Sequence, residues 1–481
     1  MSDEELRHLT PEQVVALVRR LESLLAAAVA GLAELEGQVA AAVARIAELE
    51  AELAARGGPP RTPANSSTPP SKGWQRERRP RPEEGAKRGP PVGHPGTSRP
   101  GAEPDRVVLC QPTHCASCGH DLAAAPLERV GSSQVVELPP VEPVVVEAWR
   151  YAARCPHCGA TTVAAYPAGV EPPRVFGPHL EALWTYLHEQ HHVSYARLAA
   201  LCGDLWHLRV SQGALTHALA RVAARLAPPA AAIREQVRAS PVIGSEETRA
   251  RVDGRTYWQW VFQTPTATYH TIVPRRNGAV VQEFVGDAGP AVWVSDLYGP
   301  QLNAGAAQHQ VCLAHQLRDL QYVVDREQSA WAAECQALFR LAIHRAHQRD
   351  AGTLRGVAYT AAVRKIAATC DTLLATPVQG AEASRLWTRF RTHRDHLFVF
   401  LTDPAVPPTN NDSEQALRHS VVHRKVTGGF RSLEGAAAHA VVTTVLDTAR
   451  KRGEGLLATL QAALGGPLVL PSGQPILSPS R

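Results

Sequence analysis

Two sets of side chains in this sequence have the types and spacing for chemistry. The first is acidic. Glu414 lies within PPTNNDSEQALRHSVVHRKVTGGF, residues 407–430, where Pro408 breaks any preceding helix and an apolar-periodic run follows. Asn411, with Glu414 three residues on, reads as an N-cap followed by the acid of a capping box. Ala416, Leu417 and Val421 mark a buried helix face, and Arg418, Arg424, Lys425 and Arg431 make an acid-free basic edge. Upstream, AVWVSDLYG places Asp296 at the end of a largely apolar strand. Taken alone, Glu414 reads equally well as a plain helix cap. An acid ending a buried strand, paired with an acid on a later helix beside basic residues, points to metal-dependent phosphoryl transfer on nucleic acid.

The second set is Cys115-x-x-Cys118 and Cys155-x-x-Cys158, each pair followed by glycine, Gly119 and Gly159. Such knuckles need a tight turn, so that backbone amides aim at sulfur. Four thiolates in two pairs match a closed, tetrahedral structural Zn2+ site with no position left open for catalysis. Val135, Val136, Leu138 and residues 144–146 read as strands that bring the pairs together. Cys110 falls outside this pattern, and His114 and His157 are neighbours that the site does not need.

Composition bounds what surrounds these residues. The 481 residues allow several domains and one sizeable core. Nine cysteines in so long a chain do not suggest a secreted disulfide scaffold. The start, MSDEELRHL, lacks a signal-like apolar core, and the uncharged run 24–33 is too short to span a bilayer. The expectation is a cytoplasmic bacterial protein with no membrane contact. The net charge is +5, and residues 61–106 account for it with ten Lys or Arg against five acids.

The elements that must position the chemistry follow in order, as a multidomain α+β chain. Residues 1–56 carry heptads, with Val18, Leu25, Leu32, Val39, Ile46 and Leu53 in one row and Leu21, Ala28, Leu35, Ala42 and Leu49 in the other. This predicts an N-terminal coiled coil that self-associates, against a helix packed on its own domain. Residues 57–106 hold twelve prolines and read as a disordered basic linker. Its Arg76, Arg78, Arg79 and Arg81 either follow a phosphate backbone or are simply solvated. Residues 107–170 form a small zinc-ribbon-like β domain. Residues 171–236 are helical, with a helix-turn-helix layout: one helix over 194–205, a turn over 208–210, and Ser211 capping a second helix that reaches Leu226. Such a layout exposes Gln212, Thr216 and His217 to a major groove, although helical hairpins are common.

From 237 to 460 the period changes. Strands over 242–246, 257–263 and 268–273 make an antiparallel meander, followed by a helix over 279–284 and a strand over 291–295 running into Asp296. This is the order of a ribonuclease H-like α/β domain, in which acids at the first and fourth strands, here Glu246 and Asp296, lie side by side. Residues 310–313 suggest a fifth strand. A helical insertion over about 328–400 precedes the Glu414 helix, and 461–481 reads as a disordered tail.

At this point the sequence resembles the transposases of the insertion sequence 66 family, members of the DDE superfamily. The resemblance rests on the coil followed by NSSTPPSKG, the paired knuckles, GSEETRARVDGRTYWQWVF, VWVSDLYG, CLAHQLRDL, PPTNNDSEQALR and HRKVTGGFRS. It implies metal-dependent strand cleavage and strand transfer at the ends of an insertion sequence. An acid triad would bind two Mg2+ or Mn2+ ions, which need anionic oxygens in near-octahedral geometry. The implied triad is Glu246, Asp296 and Glu414. The implied partners are double-stranded DNA at element ends and target, and accessory proteins of the same element, with a nucleoid-associated location. Arg418, Arg424 and Lys425, with the linker arginines, Gln212 and Thr216, are the implied DNA contacts. One position departs: Glu246 stands where the family pattern Asp-Glu-Thr has aspartate, which leaves open a catalytically inactive DNA-binding relative. A nuclease that cuts without joining is a weaker alternative.

Overall fold

The computed structural model describes residues 10–57, 101–139, 141–166, 170, 172–287, 289–303 and 305–465. Arg76, Arg78, Arg79 and Arg81 lie outside them, as does the segment after 465. The described residues divide into two compact units, one built mainly from 228–453 and the other mainly from 101–227 with 454–465.

Helix α1 (Pro11–Gly57) opens on a capping box. Thr10 Oγ1 accepts from Gln13 N at 3.4 Å, Gln13 Oε1 accepts from Thr10 N at 2.9 Å, and Pro11 holds the first helical position. The seam residues Val18, Leu25, Leu32, Val39 and Ile46 are all exposed along this helix.

In the unit carrying the two cysteine pairs, the strands are β1 (Ala152–Arg154) and β2 (Thr161–Val163), an antiparallel pair flanking the second knuckle. The strands expected around Val135–Leu138 and 144–146 do not form among the described residues. Val135 and Val136 are 89% and 63% exposed, so neither face of that stretch is buried and nothing fixes a strand register there. Helices α2 (Pro178–His191), α3 (Tyr195–Trp206) and α4 (Gln212–Arg238) follow. Trp184, Leu198, Cys202, Leu215, Ala218 and Leu219 form their common core. Fully buried Glu181 ties them further, accepting from Arg174 at 3.1 Å and Arg221 at 2.6 Å. Helix α4 runs past the expected end at Leu226, through Pro228 and Pro229, to Arg238. Ala230, Ile233 and Val237 are buried on that extension, and their packing outweighs the two lost amide donors.

The other unit is built on a five-stranded sheet. Strands β3 (Val242–Val252), β4 (Arg255–Gln263) and β5 (Thr268–Val273) are an antiparallel meander. Asp253 and Gly254, at φ of 47° and 70°, make the two-residue turn between the first two. Asp-Gly is the sequence that such a left-handed pair favours. Helix α5 (Gly278–Val285) leads into β6 (Val292–Ser295), and the short α6 (Gly299–Leu302) into β7 (Gln308–Val311). The sheet order is β5-β4-β3-β6-β7, with β3–β6 and β6–β7 parallel. On one face, Phe262 stacks on Phe284 of α5 at 3.8 Å between centroids, and Trp293 Nε1 donates to Ser245 Oγ at 2.8 Å.

Helices α7 (Leu313–Glu327), α8 (Ala330–Asp350), α9 (Gly356–Ala375), α10 (Ala381–Thr392) and α11 (Val399–Thr402) make the helical layer expected ahead of Glu414. Leu313, Leu320, Phe339, Leu386, Phe390 and Phe400 are buried there in one core with Val292 and Val294. Then α12 (Asn411–Thr427) and α13 (Leu433–Lys451) cover the second face of the meander. The buried face of α12 is Ser413, Leu417, Ser420 and His423, more polar than the expected Ala416, Leu417 and Val421. The sheet explains the shift: Gln263 donates to Ser413 Oγ and Gln259 to Ser420 Oγ, both at 2.9 Å. A further helix, α14 (Leu456–Ala463), packs on α2, so residues 454–465 belong with the unit that carries the cysteine pairs.

Candidate active site

Strand parity decides which acids meet. In the parallel pair, Gly244 lies opposite Val294, so continuing by two residues sets Asp296 level with Glu246 on the same face. That face also carries Gln259 and Gln263, the residues that bind α12. Gly244 lets the helix come close, since a Cβ there would stand 3.0 Å from Ser413 Oγ and 3.3 Å from Asn410 Oδ1. Burial, and then the carboxylates of Asp296, Glu247 and Glu414, hold the Glu246 carboxyl well above the usual range. Glu246, Asp296 and Glu414, the three acids implied by the sequence, therefore share one electrostatic environment.

Glu247 points the other way. Its carboxylate accepts from Arg276 Nε at 2.9 Å and from Gln301 Nε2 at 2.7 Å. Arg276 in turn stacks on Tyr298 at 4.2 Å and on Trp258 at 4.7 Å. Burial raises the Glu247 pKa, and Arg276 opposes the rise. On the Asp296 side, Tyr298 N donates to Asp296 Oδ1 at 2.9 Å and fixes the carboxylate just beyond the strand.

The start of α12 differs from the sequence expectation. Asn411 is the first helical residue and is exposed, so the Asn411–Glu414 capping box does not form. The residue before it, Asn410, accepts from Ser413 N and Glu414 N through its own carbonyl, at 3.1 and 3.2 Å. The physical reason is where the preceding segment is tied. Pro408 O accepts from Leu313 N at 3.0 Å, and Asn410 N donates to Cys312 Sγ at 3.1 Å. Asn410 is thereby buried, and its side-chain amide donates to Ser245 O at 2.7 Å and to Glu246 Oε2 at 3.0 Å.

Glu414, freed from capping, turns toward α7. Its Oε1 lies 3.5 Å from His315 Nε2 and 3.4 Å from Arg318 Nη2. Burial, then the nearby Arg318 charge, lowers the His315 pKa, and Glu414 opposes that shift. Burial pushes the Cys312 thiol up to about 11. Asn410, His315 and Arg318 are site residues that sequence reasoning left out. The only signal for the latter two was their place in CLAHQLRDL, which fixes a helix but not what it faces.

The implied DNA contacts are placed differently from one another. Arg418 and Lys425 are exposed on α12. Arg424 turns inward and donates to Gln259 Oε1, and burial lowers its pKa to about 10. It is thus drawn away from the basic edge into the helix–sheet packing. Gln212 and Thr216 are exposed on the first turns of α4, where Ser211 Oγ caps by accepting from Ala214 N at 3.1 Å.

Each cysteine pair forms a knuckle of the same design. Cys115 N donates to His120 O at 2.8 Å and Gly119 N to Cys115 O at 2.9 Å, and Cys155, Ala160 and Gly159 repeat both bonds at the same lengths. Gly119 and Gly159 take φ of 74° and 72°, which only glycine adopts freely. Amide donors from Ser117 and Cys118 lower the Cys115 pKa, and those from Cys158 and His157 lower that of Cys155. A pre-set thiolate acceptor of this kind fits a zinc ion. The clusters of three ligand atoms that the described residues bring within 4.8 Å do not combine the two pairs.

Among the described residues, no helix is long and apolar enough to cross a membrane. No curated protein matches the chain. The family model described as the zinc-finger binding domain of transposase IS66 matches residues 112–159, which span both knuckles. The model described as Transposase IS66 family matches residues 174–438, more than half of the chain, from before α2 into α13. That span holds all three acids and the helices before them, and the chain belongs to the IS66 family of transposases.

Proposed function

We propose that this transposase cleaves and joins DNA strands at the ends of an insertion sequence, using Glu246, Asp296 and Glu414 as one acid site in a ribonuclease H-like domain. The observation that carries this reading is the register that sets Asp296 level with Glu246, on the face where Glu414 raises the Glu246 pKa. The strand order and its mixture of antiparallel and parallel pairs support the fold assignment. Three converging carboxylates are a donor set for two hard ions, Mg2+ or Mn2+. When bound, such ions polarise the scissile phosphate and activate first water, then the freed 3′-hydroxyl.

The chain's own residues orient that chemistry. Asn410 holds the Glu246 carboxylate, the Tyr298 amide holds Asp296, and Arg318 brings positive charge to Glu414. Cys115, Cys118, Cys155 and Cys158 would hold one structural zinc. Double-stranded DNA would be met by Gln212 and Thr216 in a groove, and by Arg418, Lys425 and the linker arginines on phosphates. Helix α1, with its exposed seam, would self-associate.

The test is Mg2+- or Mn2+-dependent cleavage of DNA carrying the ends of the element, followed by joining of the freed ends. Asp296→Asn and Glu414→Gln should abolish both while DNA binding persists. Binding without cleavage in the unaltered protein would instead establish the silent relative that Glu246 raises, and cleavage without joining would establish a nuclease.

A further inference from the structure

The third acid does not stand among oxygens alone. Cys312 at the start of α7, His315 on its first turn and Glu414 on α12 bring one ligand atom each to within 4.8 Å of one another. His315 Nε2 faces Glu414 Oε1 at 3.5 Å, too long for a hydrogen bond. His315 Nδ1 is buried without a hydrogen-bond partner. This spacing has a simple chemical meaning. Two ligand atoms, each about 2.1 Å from one ion at a tetrahedral angle, stand about 3.4 Å apart. Arg318 Nη2 lies 3.4 Å from the same oxygen and brings positive charge to it.

We propose that His315 is a metal ligand on the Glu414 side of the acid site. With Cys312 behind it, His315 makes that position select a transition-metal ion, Zn2+ first and Mn2+ next, over Mg2+. Imidazole and sulfur favour Zn2+, and Mn2+ takes an imidazole more readily than Mg2+, which is held by oxygens and dehydrates reluctantly. This inference rests on the acid-site reading above and adds a ligand to it. The hydrogen bond from Asn410 N to Cys312 Sγ and that from Leu313 N to Pro408 O lock the two segments together, so the three donors are held before any ion arrives.

The experiment uses the full chain with its knuckle zinc in place and Mn2+ alone as the probe. Electron spin-echo envelope modulation of the bound Mn2+ should show coupling to an imidazole nitrogen. That coupling should disappear in His315→Gln, with Mn2+ affinity lowered at least about tenfold. Zn2+ should displace Mn2+ from the unaltered protein at far lower concentration than Mg2+ does, and the gap should narrow in the variant. Mn2+ that is lost with Asp296→Asn yet shows no nitrogen coupling would overturn the role of His315 and leave the acid site intact. Coupling that survives in His315→Gln would overturn it as well. No bound Mn2+ at all would overturn both readings.

Discussion

The side-chain amide of Asn410 donates to Glu246 Oε2 at 3.0 Å across 164 residues of sequence. The residue at the head of the acid-bearing helix therefore holds the Glu246 carboxylate. A pocket built in this way is fitted to the longer side chain. Asp at 246 would withdraw its carboxylate by about 1.5 Å, a misplacement of the size that costs on the order of a hundredfold in rate. Glu246→Asp should accordingly lower strand cleavage. Asn410→Ala should lower Mn2+ affinity about tenfold in the unaltered protein, the worth of one hydrogen bond to a charged group, and much less in the Glu246→Asp background. Equal losses in the two backgrounds would mean that Asn410 acts elsewhere.

Burial of Glu246, and then the crowding of like charges around it, sets a pH dependence. Its folded pKa is raised above the ordinary 4.5, so the folded state holds the proton more tightly than the unfolded chain. Stability linked to this group is fully present below about 4.5 and is lost as pH rises through the raised folded value. In buffer free of Mg2+ and Mn2+, Glu246→Gln should remove this part of the decline, and its Tm should exceed that of the unaltered protein near neutral pH. Thermal melts across pH 4 to 8 check it (~4 to ~8 brackets the ordinary carboxylate and neutral values). An unchanged slope would mean that Glu246 is neither buried nor crowded by the other acids.

The cysteine knuckles should titrate as one zinc site. Elemental analysis should find about one zinc per chain, and Cys118→Ser should lose most of it, since a structural site needs all four ligands. Melting of the sheet-bearing unit should be unaffected by that change. Full zinc retention in the variant would show that the two pairs act separately.

Removing charge at Arg418 and Lys425, both exposed, should weaken DNA binding evenly across sequences and flatten its salt dependence. Gln212→Ala or Thr216→Ala should reduce preference for the element's ends at constant salt slope. Arg424→Ala, by contrast, should lower stability more than DNA affinity, because its guanidinium is bound to Gln259 inside. Filter binding at several salt concentrations, with thermal melts of the same proteins, separates the three.

Leu32→Asp with Leu35→Asp should lower the oligomeric state seen by sedimentation, because both lie on the exposed seam of α1. A chain beginning at Pro59 should show the same lower state.

Much of this protein is fixed by short-range chemistry that is visible in the sequence. Heptad spacing predicts the long helix, the glycine after each cysteine pair the knuckles, and an acid at the end of an apolar run the place of Asp296. Each of these depends on residues within a few positions of one another, so local propensity and periodicity suffice. Tertiary structure alone decided the rest. Val135 and Val136 have strand propensity but no layer to bury them, and they stay out of strands. Pro228 and Pro229 should end a helix, yet buried residues beyond them carry it on to Arg238. Arg424 belongs to a basic edge by spacing but is drawn inward by Gln259 on a strand. The pairing of Asn410 with Glu246, and of His315 with Glu414, arises where β3, α7 and α12 pack together. No local pattern encodes such partners, because burial and register across the sheet determine which side chains meet.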